Sequence, residues 1–151
     1  MTRLGFKVVR DSRMNVQASF GERPTPLVRY IRGGKCQTVG TAMDQFSAAL
    51  QFPWYFGNNL DALSECLRDL SWLWPFSRIT IVIFDANLFL VDEDDAARAR
   101  NLIELLSDTV RYWATDEGDA GRTSPTPIGM EILLQVAEED WSEDCLSHLA
   151  F

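Results

Sequence analysis

Three acidic residues recur at intervals of four, the spacing at which side chains stack on one face of a helix. They are Asp61, Glu65 and Asp69. On a helix they would form a ridge of negative charge. Two carboxylates one turn apart suit proton transfer or Mg²⁺ binding. A ridge without further ligands suits a basic protein partner or simple solvation, so the acids alone leave these alternatives open.

The rest of the sequence gives no support to a catalytic site. The one histidine, His148, has no local motif that pairs it with a serine or cysteine and an acid. Neither of the common glycine-rich phosphate-binding motifs is present. No third ligand is marked beside Asp61 and Glu65. We therefore expect a protein that is not an enzyme and that holds no metal or cofactor.

The residues around the acids predict a loop followed by a helix. Apolar residues recur at three- and four-residue steps, which is typical of the buried face of a helix: Leu60, Leu63, Leu67 and Leu70. Residues 52–59 combine a proline, several aromatic residues and Gly57-Asn58-Asn59, which favours a turn. Asn58 or Asn59 is suited to capping the helix. We expect Trp54, a loop residue, to be exposed and Trp72 to lie in the core.

The same stretch carries a family resemblance. It contains the pattern Pro53-x-Tyr55-Phe56-Gly57-x-Asn59-Leu60-Asp61-Ala62-Leu63-x-Glu65-Cys66-Leu67. This pattern resembles the signature loop and second helix of the barstar family of intracellular ribonuclease inhibitors, and a weaker resemblance extends over residues 27–135. The resemblance implies a protein that plugs the active site of a secreted guanyl-specific ribonuclease with this loop and helix.

By this resemblance, an acid imitates the phosphate that the ribonuclease binds. Glu65 corresponds to the acid in the phosphate subsite, where the family has the shorter Asp, and Asp61 corresponds to an acid that pairs with a partner arginine. The other candidate partner-binding residues are Trp54, Tyr55, Phe56, Gly57, Asn59, Ser64, Arg68 and Asp108. Ser64 stands where the family has tryptophan and Phe56 where it has tyrosine. Asp108 aligns with a contacting acid only through a gap.

Composition is consistent with a soluble acidic protein of one domain. The chain has 151 residues, a net charge of −8 and a pI near 4.6. Nucleic acid and anionic membranes are not expected as direct partners, because both attract positive charge. A basic protein is favoured instead. The three cysteines show no CxxC spacing, and we find no secretion signal or membrane span, so we expect reduced thiols, a buried Cys66 and a cytoplasmic protein.

Apolar runs alternate with amphipathic helices along the chain. We expect strands at 27–36, 78–85 and 129–136 and helices at 41–50, 60–70 and 96–113. This order predicts a small α/β domain with a three-stranded parallel sheet and helices on one or both faces. We assign residues 27–136 to this domain. Residues 1–26 are expected to be an extension, either an added edge strand or a loosely docked arm, and residues 137–151 an acidic tail.

Two polar segments have structural interpretations. Residues 92–95, Asp-Glu-Asp-Asp, stand just before the last helix, where acids complement the positive end of the helix dipole, and we prefer this to a metal site. Residues 115–127 are rich in Gly, Asp, Ser and Pro and predict a mobile surface loop.

These observations favour an inhibitor of a basic extracellular-type ribonuclease or ribonuclease-like toxin, acting as an immunity protein or antitoxin. Two alternatives stay open. One is a barstar-like interaction module whose partner is not a nuclease, and the other is a carboxylate-dependent metal enzyme. The identity of the partner, or metal-dependent turnover without one, would distinguish them.

Overall fold

The computed structural model of the chain describes residues 2–3, 5–21, 27–73, 76, 78–115 and 129–149. Within these residues the strands form a single five-stranded sheet. They are β1 (Thr2–Arg3), β2 (Phe6–Arg10), β3 (Leu27–Arg32), β4 (Arg78–Phe84) and β5 (Gly129–Val136). The spatial order is β1-β2-β5-β4-β3. All neighbours pair in parallel except β1, which is antiparallel to β2.

The predicted parallel α/β fold is confirmed, with two differences in detail. Four strands are parallel rather than three, because β2 pairs with β5 from Phe6 opposite Ile132 to Arg10 opposite Val136. The first predicted strand ends at Arg32 and not at residue 36, since residues 33–35 form a 3₁₀ turn. A Cβ at Gly33 would lie 2.3 Å from the carbonyl oxygen of Asp85, so the chain there passes too close to the end of β4 for any larger residue.

In the part of the chain that the structure describes, four α-helices flank the sheet: α1 (Arg13–Phe20), α2 (Val39–Leu50), α3 (Leu60–Asp69) and α4 (Ala96–Trp113). The last three lie close to their predicted bounds. Each helix begins at a side chain that accepts a backbone N–H of its first turn, and these caps are Ser12, Thr38, Asn59 and Asp95. Helix α1 was not among the expected elements, because its one buried residue, Val16, leaves no apolar periodicity to detect.

The two faces of the sheet are covered unequally. Helices α2, α3 and α4 bury the main core against one face, where Phe46, Leu67 and Leu106 are fully buried. On the other face a smaller cluster forms where Val16 of α1 packs near Val82 and Leu133. Because β4 is buried on both of its faces, its sequence is an almost continuous run of apolar residues.

The segments outside the central domain contribute to the same sheet and core. Phe6 of β2 and Leu146 and Leu149 of the tail are buried in the main core. The division into extension, domain and tail remains a prediction. Of the predicted mobile loop, only residue 115 lies within the described residues. No helix within the described part of the chain is both long and apolar enough to cross a membrane.

Candidate partner-binding site

Helix α3 is amphipathic, with an apolar face that is buried and an acidic face that is exposed. Leu63 and Leu67 are fully buried, whereas Asp61 and Glu65 are exposed. The helix begins at Asn59, as predicted: its Oδ1 accepts the N–H of Ala62 at 2.9 Å. The side chains that carry charge are therefore held outward by a helix whose inner face is fixed in the core.

The carboxylates of Asp61 and Glu65 have no intramolecular partner. Among the described residues, no hydrogen bond or ion pair reaches either of them. Arg68 stands three residues after Glu65, yet its guanidinium carbon lies over the ring of Tyr112, 5.1 Å from the centroid. Asp69, the third acid of the ridge, accepts a hydrogen bond from the backbone of Ser71. Two of the three ridge acids thus keep their full capacity to bind a cation.

Contacts with α4 fix the far end of α3. The indole N–H of Trp113 donates to the carbonyl oxygen of Leu67 at 2.9 Å. The ring of the neighbouring Tyr112 makes the cation–π contact with Arg68. Asp108 precedes Tyr112 by one helical turn and so shares its face of α4. The Asp108 carboxylate is exposed and pairs with Arg111 at 3.0 Å, a surface contact that contributes little to stability. The structure thus places Asp108 on the helix that packs beside α3.

A hydrogen-bonded turn shapes the aromatic loop. The N–H of Phe56 donates to the carbonyl oxygen of Pro53 at 3.0 Å, which leaves Trp54 and Tyr55 as the two corner residues. Both are exposed, Trp54 by 95% and Tyr55 by 62%, and their rings meet edge to face with centroids 6.0 Å apart. The expected exposure of Trp54 is confirmed.

The other aromatic residues of this region point inward and hold the turn. Phe52 contacts Phe56 at 5.0 Å and Trp72 at 6.0 Å between centroids. All three pack against the main core. Trp72 is half-buried, and its indole N–H donates to the carbonyl oxygen of Leu50 at the end of α2. Phe56 is half-buried and anchors the loop, and its contact with a partner remains a prediction.

Gly57, Asn59 and Ser64 lie between the turn and the acids. The Nδ2 of Asn59 donates to the carbonyl oxygen of Gly57 at 3.2 Å, and a Cβ at Gly57 would lie only 3.0 Å from that nitrogen. Glycine therefore leaves room for the cap of α3. Ser64 is half-buried on α3, one residue before Glu65.

The cysteines are free thiols, and the two buried ones have raised pKa values. Cys36 and Cys66 are buried and Cys145 is half-buried. Burial raises the pKa of the Cys36 thiol to about 12. Burial also raises the pKa of the Cys66 thiol, and the nearby charges of Asp69 and Glu65 add to the effect. Since the thiolate is the reactive form, these thiols behave as small apolar groups, as expected for Cys66.

The acidic run at 92–95 serves helix starts, as the sequence indicated. Asp95 caps α4 by accepting the N–H groups of Ala97 and Arg98 at 3.0 and 3.1 Å. Glu93 was not singled out, yet its Oε2 accepts the N–H of Val39, the first residue of α2, at 2.7 Å. Their separation of 54 residues leaves no local signal for this contact. Within the described residues no group of three His, Cys, Asp or Glu side chains is arranged to hold a metal ion.

The comparison with protein families matches the region that contains this site. The model of the family described as Barstar (barnase inhibitor) matches residues 27–123. This range spans α2, the aromatic loop, α3, β4 and α4. A search among curated proteins finds no match to the chain.

Proposed function

The chain belongs to the barstar (barnase inhibitor) family, and from this membership we propose that it inhibits a basic ribonuclease by placing the acidic face of α3 in the active-site cleft. The observation that carries the proposal is the pair of exposed carboxylates, Asp61 and Glu65, which lack any partner among the described residues. The helix holds these two carboxylates one turn apart on its exposed face, where a cationic cleft could bind both.

The chemistry of the proposal is replacement of phosphate by carboxylate. A ribonuclease cleft binds RNA phosphate with cationic side chains, and charge-assisted hydrogen bonds to a carboxylate satisfy the same donors. Glu65 takes the phosphate position, and Asp61 pairs with a neighbouring arginine. Glu65 is one methylene longer than the family's usual Asp, so it reaches deeper into the cleft or meets a recessed cation.

Residues around the two acids complete the proposed interface. The turn residues Trp54 and Tyr55 extend it on one side, and Asp108 on α4 extends it on the other. The remaining contact candidates lie between them on the loop or on α3: Phe56, Gly57, Asn59, Ser64 and Arg68. The net charge of −8 adds long-range attraction for a basic partner.

We further propose that the protein acts in the cytoplasm as an immunity protein or antitoxin. Its cysteines are all free, which accords with a reducing compartment. A ribonuclease made for export, or delivered by a competitor, threatens RNA in that compartment. An inhibitor that occupies the cleft protects the cell from either source.

A second candidate is an interaction module with a partner that is not a nuclease. Ser64, in place of the family's tryptophan, favours it because the centre of the expected interface loses its largest apolar side chain. Both candidates use the same acidic helix, and they differ in whether the partner cleaves RNA.

The test is titration of the purified chain into small basic guanyl-specific ribonucleases, barnase among them, with cleavage of a fluorescent RNA as the readout. We expect activity to fall to zero at one equivalent with at least one enzyme. Glu65→Gln should abolish this stoichiometric loss. Asp94→Asn is the matched control, because it removes one exposed charge just before the start of α4, an 18-residue helix about 27 Å long whose other end contacts α3. Absence of inhibition with every ribonuclease tested, together with a stable complex between the chain and a protein that does not cleave RNA, would favour the second candidate.

A further inference from the structure

Trp54 is the most exposed of the large apolar side chains in the described part of the chain. It is 95% exposed, ahead of Met14 at 81% and Tyr55 at 62%. An indole in water forfeits the free energy that its burial would supply. Single exposed apolar residues are common on protein surfaces, so the exposure gains meaning only from how this ring is held and what surrounds it.

The ring is held by a braced turn. Trp54 occupies a corner of the turn closed by the Phe56 N–H and the Pro53 carbonyl, and Tyr55 meets it edge to face. Phe52 and Phe56 fix both ends of the turn on the core. Because the ring is almost fully exposed, this contact with Tyr55 leaves its faces open. The loop therefore presents the indole on a backbone that is already ordered, so the backbone loses little entropy on binding.

The indole face and the charged residue that follows it along the chain are both attractive to cations. The face of an indole carries negative electrostatic potential, and tryptophan is the strongest cation binder among the aromatic side chains. Residues 58–61 connect the turn directly to Asp61, the first acid of α3 and the next charged residue after Trp54 in the chain. A neutral apolar pocket on a partner would meet this negative field without any matching charge.

The protein itself pairs arginines with aromatic faces at two other places. Arg10 lies over the ring of Trp141 at 4.9 Å and Arg68 over that of Tyr112 at 5.1 Å from the centroids. Among the described residues no cation occupies the face of Trp54 in this way. Its aromatic face is thus available to a cation from outside the chain.

We propose that Trp54 is a receptor for an arginine or lysine side chain at the rim of the partner's cleft. This inference rests on the proposed function, and it adds a second kind of cation recognition to the carboxylates of α3. The rim cation lies over the indole face while Glu65 binds the cations within the cleft. Specificity among basic partners then depends on whether a rim cation stands where Trp54 can meet it.

A hexa-arginine peptide is a probe that needs no knowledge of the partner. The ¹⁵N-labelled full chain is titrated with the peptide at low salt, and the Trp54 indole N–H signal is assigned from the spectrum of Trp54→Phe. We expect this signal to shift saturably, and Trp54→Leu, which keeps an apolar side chain but removes the ring, to weaken peptide binding about two- to five-fold. Trp54→Phe should weaken it less. Met14→Ala, which removes an exposed apolar side chain elsewhere, should not change it.

The outcomes separate this inference from the function on which it rests. An unmoved Trp54 signal, or equal peptide binding by Trp54→Leu and the wild type, overturns the cation receptor. The same holds if Trp54→Leu releases an inhibited ribonuclease no faster than the wild type while Trp54→Ala does so, because the contact is then merely apolar. Failure to inhibit any ribonuclease, with the Trp54 signal still responding to arginine, would count against the proposed function and leave Trp54 as a cation receptor for another partner.

Discussion

Two acidic segments of this protein look alike in sequence and behave differently in the structure. In the segment 92–95, Glu93 and Asp95 accept backbone N–H groups at the starts of α2 and α4. On α3, Asp61 and Glu65 accept no such bond among the described residues and point into solvent. The comparison teaches that charge density does not distinguish structural acids from binding acids. What distinguishes them is whether the fold already supplies their partners.

Among the variants that test this distinction, Glu65→Ala should have the largest effect. If Glu65 enters a cationic cleft, its loss leaves partner cations buried without a counter-charge, and affinity should fall by about 2–5 kcal/mol. The barnase–barstar pair is itself the standard example of such an interface, so this range is general and does not come from the present geometry. Stability should stay within about 0.5 kcal/mol of the wild type. Isothermal titration with an inhibited ribonuclease and thermal melts measure the two quantities.

Conservative variants serve as controls for this change. Glu65→Gln keeps the shape and should lose most of the same affinity, whereas Glu65→Asp restores the family's usual acid and should be tolerated better. Wild-type affinity in Glu65→Ala would show that α3 carries no active-site plug.

The reverse experiment is Glu93→Ala in the structural segment. It leaves the N–H of Val39 without its acceptor beside a fully buried side chain, and an unsatisfied buried donor costs about 1–3 kcal/mol. We expect a loss of that size in the free energy of unfolding by urea. Glu93→Gln keeps an acceptor oxygen and should recover part of it. If Glu93→Ala lost affinity for the partner and kept its stability, Glu93 would be a binding acid and not a structural one.

The salt dependence of the association rate tests whether the exposed acids of α3 attract the partner. Screening shortens the range of the field of exposed charges, so partner association should slow by about tenfold or more between low and high salt. The dissociation rate should change less. Stopped-flow mixing at several ionic strengths measures both rates. An association rate that is independent of salt would mean that the unpaired acids on α3 serve solubility alone.

Asp95→Ala tests a structural acid that is exposed. The substitution removes the cap of α4, which accepts two N–H groups, and should cost about 1 kcal/mol of stability. Asp95→Ser retains a capping oxygen and should restore most of it in the same melts. Partner affinity should match the wild type, since Asp95 is not among the proposed interface residues and α4 contacts Leu67 and Arg68 of α3 through its other end. A marked loss of affinity would contradict the proposed location of the interface.

The smallest expected effect concerns the acids of α3 in the free protein. Like charges four residues apart on a helix disfavour it by about 0.2–0.5 kcal/mol. Glu65 has an acid four residues away on each side, Asp61 and Asp69, so Glu65→Gln should stabilise the uncomplexed chain by a few tenths of a kcal/mol, measurable in paired urea melts, although it weakens binding. A clear loss of stability would indicate that the Glu65 carboxylate contributes to the helix in the free protein.

Local patterns predicted the parts of the fold that local physics determines. The bounds of α4 and the cap of α3 follow from side chains within a few residues of each helix end. The pairing of β2 with β5 and the bond from Val39 to Glu93 join distant residues, and no short window contains both partners. Sequence patterns therefore placed β3, β4 and β5 but left the role of the first 26 residues open.

The candidate site shows the same division within a single loop. The sequence grouped Trp54, Tyr55 and Phe56 as contact residues because they are consecutive aromatics. The turn at Pro53 sends the first two outward and the third inward. Aromatic residues serve cores and interfaces equally well, so only the backbone path decides which role each one has.

The partnership of β2 and β5 has a consequence for the order of folding. These two strands are far apart in the sequence. The side chain of the buried Gln135 accepts the N–H of Asp85 at the end of β4 and donates to the carbonyl oxygen of Asp11, which follows β2 and lies 124 residues before Gln135 in the chain. Contacts this distant require costly loop closure and form slowly. Synthesis delivers β2 first, so it waits without a partner until β5 has been made. Pulse-labelled hydrogen exchange should show its amides protected after those of β3 and β4, which makes completion of the sheet the last step towards a fully assembled inhibitor.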